Sequence, residues 1–523
     1  MATCPEGCDC ECLQNSLDTL IVRDDELFAG IEAVEADVAA IDASWQAGDA
    51  ALQSQITSND VDITTLDGRV TVNEADILAI QNEAGMAEDD IRRWGAETAE
   101  GDDTQNCADF VEAAIAGTGS AFIPEGTWYF LTSAILPNFS RVHGVGMGIS
   151  ICKFSGANTN IHAAAGTSSY PMFRSEHNGA FPAYQLSEDI RIKGITMDGN
   201  GDNQTDDHTA IVAFTFYGKQ GVVEDCEITG FRGGWNKEAF FLQFSGTSLG
   251  AGYDCHARNC LFSGVAGQMT GTSGENTCIL FGGYDSGATP AEGLSNNCSV
   301  TGCTFRDMIH NGTTYSSSVH CIAPLGHGHK VSGNRVYDCT GSVTFVWLQT
   351  LDTNHLTVEN NHCEDAKYFV SINFSDEVFD RITIRGNKAS NVEKGFFIFA
   401  NAGATGTFSN ILIENNIFLG STGSIISFDA GDVADPDPLP FTKITVIHNE
   451  LECQAAWPEI IYEYHVHKTA GVNQPDPDEW VVGDNRRPTM GRAWARPQEL
   501  PYIPRTWLAN TVWPEYTNST TNP

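Results

Sequence analysis

Apolar and polar residues alternate in nine short segments between Asp189 and Cys453, and every segment follows the same plan. Two apolar residues alternate with polar ones, then a small polar residue or cysteine follows, and another apolar residue comes after it. The unit recurs at intervals of roughly thirty residues, with insertions of variable length. Alternation with a period of two predicts β-strands, and an irregular repeat of this length is typical of a solenoid whose coils bury one another's apolar faces.

The turn position of each segment holds one of a few residue types. In chain order the nine residues are Ile195, Cys226, Cys260, Cys303, Asn334, Asn361, Asn387, Asn416 and Asn449. Stacked coils would place them above one another, about 4.8 Å apart. Each asparagine amide could then donate to one neighbour and accept from the other, and asparagine tolerates a left-handed turn. We therefore predict a right-handed parallel β-helix; a β-propeller would need four strands per unit, more than this repeat supplies.

A second hydrophobic period precedes the strands. From Leu13 to Ile80 apolar residues recur at alternating steps of four and three, with one shift of frame between Leu52 and Ile56. Sustained heptads predict a coiled coil, and the shift is a stutter that unwinds it locally. β-Branched residues and leucine mix at both core positions, which favours three strands. We predict an α-helical coiled-coil stalk over residues 13–90 that makes the protein a homotrimer.

The stretch that joins the two patterns predicts a single helix over residues 104–116. Asp102 and Asp103 precede it, and acidic residues are favourable near the positive N-terminal end of a helix. Gly117 is expected to end it. Pro124-Glu125-Gly126 then turns the chain into the strand TWYFL.

These motifs resemble those of a known family. A Gly-Ala start, Gly-Asp-Asp-Thr, an Ala-Ile helix end and Pro-x-Gly-Thr-aromatic together resemble the entry to the pectate-lyase-like β-helix of phage tailspikes and related polysaccharide depolymerases. The resemblance covers about residues 95–465 and implies a solenoid over 91–467, with the helix as a cap over its open sheet edge. One departure is visible, since residues 97–100 (ETAE) stand where the family has Gly-Asp-Gly.

The segment 468–523 is rich in proline and tryptophan. Because proline cannot donate to a strand ladder, we expect the repeats to stop and the segment to form a C-terminal cap or tail. Its expected anchors are Trp480, Trp494, Trp507 and Trp513.

The charge of the chain limits the classes of partner that we expect it to bind. With a formal net charge of −40, the chain is not expected to bind nucleic acid or an anionic membrane. An acidic polysaccharide would need a locally basic or metal-bridged site. No run of eighteen apolar residues predicts a membrane span, and the start MATCPEGCDCEC lacks the features of a secretion signal. We therefore expect the protein to be made in the host cytoplasm, unless it leaves by another route.

The sixteen cysteines fall into two groups. Most occupy repeat positions; Cys255 and Cys298, for example, align with Leu356 and Ile382, so we predict buried free thiols. A separate cluster lies in an N-terminal attachment segment, residues 1–12: Cys4, Cys8, Cys10 and Cys12. A metal, interchain bridges and simple exposure inside an assembly all remain open for this cluster.

The longest insertions, between Cys226 and Cys303, are where a solenoid carries function. Hydrolysis of a glycoside needs two carboxylates, and we predict Glu238 with Glu275 as that pair, helped by Asp254 or Asp285, with Trp235 binding substrate. A lyase would instead need a base and neutralisation of a uronate. Each of these acids is equally compatible with a solvated surface role.

Strand alternation predicts one outward column that contains Trp347, Ser371, Ser427 and Tyr462. Trp347 and Tyr462 would either stack on sugars or pack against a neighbouring subunit. The loop that begins at Asp198 only partly matches a calcium loop, and an axial metal at His465 and His467 is no more than an option, so we expect no metal and no cofactor.

The whole plan resembles a tail-attached spike. It implies a location in the virion, attachment to phage tail or baseplate proteins through the N-terminus, and binding and hydrolysis of a bacterial surface polysaccharide. The alternatives are a non-catalytic adhesive fibre, a polysaccharide lyase, and a free secreted bacterial enzyme.

Overall fold

A computed structural model gives the fold. It describes residues 10–83, 87–96, 105–155, 169–176, 186–201, 210–231, 239–246, 251–264, 266–267, 276–282, 295–310, 319–349, 352–400, 406–422, 425–432, 441–453, 459–466, 481–483 and 492–495. The chain divides into two compact units, residues 1–85 and 86–523.

The first unit contains one long helix, α1 (Cys10–Glu83), of 74 residues. At 1.5 Å per residue it is about 110 Å long. Predicted heptad residues whose side chains are described lie along it without cover; Val38 and Trp45, for example, are 58% and 71% exposed. Within the described residues no helix is long and apolar enough to cross a membrane.

The second unit begins with a short 3₁₀ helix (Ile91–Trp94) and helix α2 (Cys107–Thr118). The predicted bounds of 104–116 were wrong at both ends. The side chain of Asn106 caps the helix by accepting from Ala108 N, so the helix starts later. Gly117 lies inside the helix, where a Cβ would stand 2.4 Å from the ring of Trp94. Gly119, with a φ of 80°, ends the helix instead.

The strands follow in chain order. The first fourteen are β1 (Ser120–Ile123), β2 (Gly126–Phe130), β3 (Ala134–Leu136), β4 (Arg141–Gly144), β5 (Ser150–Phe154), β6 (Ser169–Ser175), β7 (Ser187–Glu188), β8 (Arg191–Lys193), β9 (Thr196–Asp198), β10 (Ala210–Lys219), β11 (Val222–Glu224), β12 (Glu227–Thr229), β13 (Ala239–Ser245) and β14 (Gly252–Tyr253). The next fifteen are β15 (His256–Arg258), β16 (Leu261–Ser263), β17 (Ala266–Gly267), β18 (Asn276–Phe281), β19 (Ser295–Asn296), β20 (Ser299–Thr301), β21 (Thr304–Arg306), β22 (Ile309–His310), β23 (Val319–Pro324), β24 (Gly326–His327), β25 (Lys330–Ser332), β26 (Arg335–Tyr337), β27 (Val343–Gln349), β28 (Thr353–Asn354) and β29 (Thr357–Glu359). The last fourteen are β30 (His362–Glu364), β31 (Tyr368–Phe374), β32 (Val378–Asp380), β33 (Thr383–Arg385), β34 (Lys388–Ser390), β35 (Lys394–Ala400), β36 (Thr407–Glu414), β37 (Ile417–Ser421), β38 (Ile426–Asp432), β39 (Phe441–Ile447), β40 (Glu450–Cys453), β41 (Glu459–Val466), β42 (Val481–Gly483) and β43 (Arg492–Ala495).

Successive coils pair in parallel and form three long sheets. Sheet I contains β1, β4, β8, β11, β15, β20, β25, β29, β33, β36, β39 and β42, and a strand of two or three residues precedes six of them in the described residues. Sheet II contains eleven strands: β2, β5, β9, β12, β16, β21, β26, β30, β34, β37 and β40. Sheet III contains β3, β6, β10, β13, β18, β23, β27, β31, β35, β38, β41 and β43. The predicted right-handed parallel β-helix is confirmed, with one hydrophobic core between the three sheets.

The asparagine ladder lies at the turn from sheet I to sheet II. Asn361 Nδ2 donates to Asn387 Oδ1 at 2.9 Å and to Val331 O at 3.0 Å, and the same pair of bonds repeats from Asn334 to Asn416. In the earlier coils thiols donate to the equivalent carbonyl, as Cys260 Sγ does to Val223 O at 3.5 Å. The ladder therefore satisfies polar groups that would otherwise be buried without partners.

The left-handed residue of this turn is not the ladder asparagine, as the sequence argument assumed, but the residue before it. Asn360, Gly386 and Asn415 have φ values of 56°, 63° and 55°. Asparagine and glycine tolerate this region with little strain, which leaves the ladder side chain free to point inward.

The predicted state of the solenoid cysteines is confirmed for the described residues. Eleven are free and buried: Cys107, Cys152, Cys226, Cys255, Cys260, Cys278, Cys298, Cys303, Cys321, Cys339 and Cys363. Burial raises the pKa of Cys107 and Cys339 to about 12, so these thiols stay protonated and unreactive.

The repeats do not stop at His467, contrary to the sequence argument. Val481 pairs with Thr445 of sheet I, and Trp494 pairs with Ile461 of sheet III. The prolines of this region flank β42 and β43 instead of interrupting them, so both can join the ladders. The other expected anchors, Trp480, Trp507 and Trp513, lie outside the described residues.

His329 occupies a core position that cysteine or a branched apolar residue fills in other coils. Its Nδ1 accepts from Cys298 N at 3.2 Å, and its Nε2 lies 3.0 Å from Leu325 O, which assigns the neutral form with the proton on Nε2. Burial lowers the pKa of His329 from 6.5 to about 4. The histidine is therefore neutral in the folded protein at neutral pH.

Replacement of His329 by leucine, the residue at the next equivalent position, should flatten the pH dependence of stability. As the pH falls below about 6.5, His329 takes up a proton in the unfolded chain, whereas the buried imidazole of the folded protein stays neutral. Between pH 6.5 and about 4, the free energy of unfolding of the wild type should therefore fall by about 3 kcal/mol more than that of His329→Leu. Denaturant titrations of both proteins at several pH values measure the difference, and parallel curves would contradict this role.

Candidate functional site on sheet III

Sheet III bends within each coil, so two consecutive residues face the core. In β27 the ring of Phe345 packs against a phenylalanine of sheet II, and both Phe345 and Val346 are fully buried. Strand alternation then places Thr344 and Trp347 on the outer face, one on each side of the bend. Side chains from neighbouring coils meet across this bend.

Trp347, a predicted sugar platform, meets His320 of the preceding coil there. The two rings stack with centroids 4.2 Å apart and planes 16° apart, and Trp347 is only 7% exposed. Burial lowers the pKa of His320 to about 3, so the imidazole is neutral at neutral pH. One face of the indole is thus taken by a partner in the same chain, and the open aromatic surface expected at Trp347 is not found there.

The predicted outward column is present in the backbone register. Trp347 pairs with Ser371, and Ser427 pairs with Tyr462 of β41. Phe397, which the sequence argument missed, stands between the two serines. Aromatic residues and serine therefore alternate along the column, with one aromatic residue every second coil.

Partly buried aromatic residues lie one and two coils beyond Trp347. Tyr368 stacks on Phe397 across the bend with centroids 5.3 Å apart, as His320 does on Trp347, and Phe399 lies 6.3 Å from Phe397. We call Tyr368, Phe397 and Phe399 the aromatic face. Flat aromatic rings on a rigid sheet match the apolar faces of sugar rings. The run Phe396-Phe397 concealed Phe397 from the sequence argument, because simple alternation does not allow for the bend.

Four predicted site residues lie outside the described part of the chain: Trp235, Glu238, Glu275 and Asp285. The residues that follow the two glutamates are described. Ala239 begins β13, Asn276 begins β18, and the two are register partners on neighbouring coils. The carboxylate pair itself stays a prediction.

Asp254 is described and occupies a turn. Its φ is 55°, and its backbone N donates to Asn296 O at 3.0 Å. The equivalent residues of the adjacent coils, Gln220 and Asn297, are left-handed as well. The backbone position of Asp254 is thus explained by the turn, and its predicted supporting role in catalysis stays a prediction.

Buried polar groups lie on the strands next to the candidate loops. Asn276 and Thr277 are 1% and 0% exposed. The amide of Asn276 and the hydroxyls of Thr277 and Thr215 have no hydrogen-bond partner among the described residues. Because such groups are costly when unsatisfied, this part of sheet III is suited to polar partners from loops or a ligand.

The described residues contain no group of three or more His, Cys, Asp or Glu side chains placed to hold a metal. Asp198, the first residue of the calcium-like loop, already accepts from Asn200 N at 2.7 Å and pairs with Lys153 at 3.0 Å. Side chains of the N-terminal cysteine cluster and of the His465–His467 pair lie outside the described part.

No protein-family model matches this chain, and no curated protein matches its sequence. Solved structures do match. The A-module of the mannuronan C-5 epimerase AlgE6 of Azotobacter vinelandii is 13% identical with a TM-score of 0.43, and the match covers 78% of this chain and 100% of that one. The surface adhesin PfbA of Streptococcus pneumoniae is 14% identical with a TM-score of 0.44, over 73% and 96%. A double mutant of the tailspike protein of E. coli bacteriophage HK620 is 13% identical with a TM-score of 0.37, over 70% and 71%.

The observation that decides the fold lies in the chain itself, in coils of parallel strands stacked over a buried ladder. The chain is a right-handed parallel β-helix. In this β-helix the strands of sheet III provide an outer face, and two of them, β13 and β18, begin directly after positions 238 and 275 in the chain.

Proposed function

We propose that this β-helix protein is the homotrimeric receptor-binding spike of a phage tail, which binds a bacterial surface polysaccharide and depolymerises it by hydrolysis. The observation that carries the proposal is the aromatic face on the outside of a rigid solenoid. A long polymer suits such a surface, because equivalent positions repeat along the axis at about 4.8 Å per coil.

Helix α1 supports the spike arrangement. Apolar heptad residues of its described part are uncovered in a single chain, with Leu27 and Val34 63% and 61% exposed. A helix with such a seam needs partners, and the mixture of β-branched residues and leucine at both core positions favours three. The N-terminal segment would then attach the trimer to the phage tail or baseplate.

The hydrolytic part of the proposal rests on the register of β13 and β18. Neighbouring strands lie about 4.8 Å apart, and the two carboxyl groups of retaining glycosidases lie about 5–5.5 Å apart. Glu238 and Glu275 precede register partners, so they are the proposed acid and nucleophile. Asp254 and Asp285 would assist, and Trp235 would bind the substrate.

Replacement of Glu238 or Glu275 by glutamine should lower turnover at least about 100-fold, because each change removes a group that transfers a proton or forms the intermediate. The measurement is release of reducing ends from surface polysaccharides of several bacterial strains. Glu450→Gln, on sheet II, is the control and should keep wild-type turnover.

Three outcomes separate the proposal from its alternatives. Wild-type turnover in both variants removes the site assignment. Products with an unsaturated sugar end identify a lyase. Binding without any shortening of the polymer identifies a non-catalytic adhesive spike, and absence of the protein from purified virions contradicts the tail location.

A further inference from the structure

Charge is distributed unevenly over the solenoid. The chain has a formal net charge of −40, yet the eight main strands of sheet III from β6 to β35 contain no aspartate or glutamate. The lysine and arginine residues of those strands that lie within sheet III are Arg174 and Lys394, because Lys219, at the end of β10, pairs with sheet I beside Glu188. Acidic residues do occur in strands of sheets I and II, for example Glu224, Glu359 and Glu364. The strands of this stretch of sheet III therefore present no carboxylate to an approaching anion, whereas the next two strands of the sheet contain Asp429 and Asp432 in β38 and Glu459 and Glu463 in β41.

Two lysines lie against the aromatic face. Lys394 Nζ is 3.9 Å from the ring centroid of Phe397, and Lys367 Nζ is 5.0 Å from that of Tyr368. Ammonium groups are attracted to ring faces at these distances, which holds both charges beside the aromatic surface. In the backbone register Tyr368 pairs directly with Lys394 on the next coil.

Acidic residues also lie near this cluster, and Asp365 precedes Lys367 by two residues. Glu393 precedes Lys394 in the chain but lies outside the strand, and Asp429, on the next coil, is the register partner of Phe399. Aromatic rings that accept the apolar face of a sugar, next to ammonium groups that pair with an anion, match a sugar that carries a carboxylate.

We propose that the aromatic face, together with Lys367 and Lys394, binds carboxylate-bearing sugars of an acidic polysaccharide. The site is four strands from β18, or about 19 Å along the axis from the candidate catalytic loops. The bound polymer therefore runs along the solenoid and is held at a point distant from the cleavage site. This inference rests on the proposed function and narrows its substrate to acidic glycans.

The test uses the intact protein and a panel of immobilised acidic and neutral capsular polysaccharides and O-antigens. Every polymer that binds is measured again after chemical reduction of its carboxylates to alcohols. The double variant Lys367→Gln/Lys394→Gln removes two positive charges and keeps the side-chain stems. The double variant Lys388→Gln/Lys443→Gln removes two exposed lysines outside sheet III and serves as the charge-matched control.

We expect the wild type to bind an acidic polymer. Its affinity should fall at least about 10-fold when the carboxylates are reduced, and the site variant should lose as much affinity for the unreduced polymer. The control variant should stay within about 2-fold of the wild type. Binding only to neutral polymers overturns the inference and leaves the proposed function standing. Binding to an acidic polymer that is unchanged in the site variant has the same consequence. Binding to no polymer counts against both. A change in oligomeric mass in the site variant would assign the aromatic face to a subunit contact and overturn the inference.

Discussion

Replacement of Asn387 by alanine is expected to destabilise the solenoid by about 3 kcal/mol or more. Asn387 Nδ2 donates to Val358 O and Asn416 Oδ1, both at 2.9 Å. Its Oδ1 accepts from the backbone N and the Nδ2 of Asn361, at 3.0 and 2.9 Å. Alanine removes all four bonds and leaves the Asn361 N–H and the Val358 carbonyl buried without these partners.

Two further variants make the ladder measurement specific. Asn387→Cys should cost less than alanine, because a thiol at the equivalent position of an earlier coil donates to the corresponding carbonyl. Lys388→Ala, at the exposed neighbouring position, should change the free energy of unfolding by no more than about 0.5 kcal/mol. Denaturant unfolding followed by circular dichroism gives all three values. Equal midpoints for Asn387→Ala and Lys388→Ala would contradict a stabilising ladder.

Two lysines in the seam of α1 are expected to convert the proposed homotrimer into single chains. Val38 and Ile41 are both 58% exposed in the single chain and occupy consecutive heptad core positions. In a coiled coil each would be buried against its partners, so Val38→Lys/Ile41→Lys would bury charges at both layers. Light scattering should then report the mass of one 56.5 kDa chain instead of three.

Ala36→Lys/Ala43→Lys is the matched control, because it adds the same charge to the same helix at exposed positions opposite the seam. It should retain the mass of three chains. A wild-type protein with the mass of a single chain would contradict the proposed stalk, and so would a seam variant that keeps the wild-type mass.

The regular part of the fold could be predicted because each coil repeats one pattern. A polar residue recurring among apolar ones, as at Asn361 and Asn387, has few explanations other than a buried ladder. The period also predicted the inward thiols of Cys255 and Cys298. It did not reveal which turn residue is left-handed, because glycine, asparagine and aspartate near the turn all tolerate that region.

The errors arise where the repeat is irregular. Gly117 signalled a helix end, but its lack of a side chain instead admits the ring of Trp94. The prolines after His467 concealed two short strands that lie between them. Alternation predicted that Trp347 points outward. Its stacking on His320 was missed, because His320 lies on a neighbouring coil and the local pattern does not specify which residues of two coils meet across the bend. The candidate carboxylates lie in insertions without periodicity, so no pattern could pair them.

We propose that this β-helix recognises a bacterial surface polysaccharide. The most direct test measures binding of labelled intact protein to a panel of bacterial strains and, for each strain that binds, to its isogenic mutant without surface polysaccharide. We expect saturable binding to at least one strain and its loss in that mutant. Equal binding to parent and mutant, or binding to none of the strains, would contradict it.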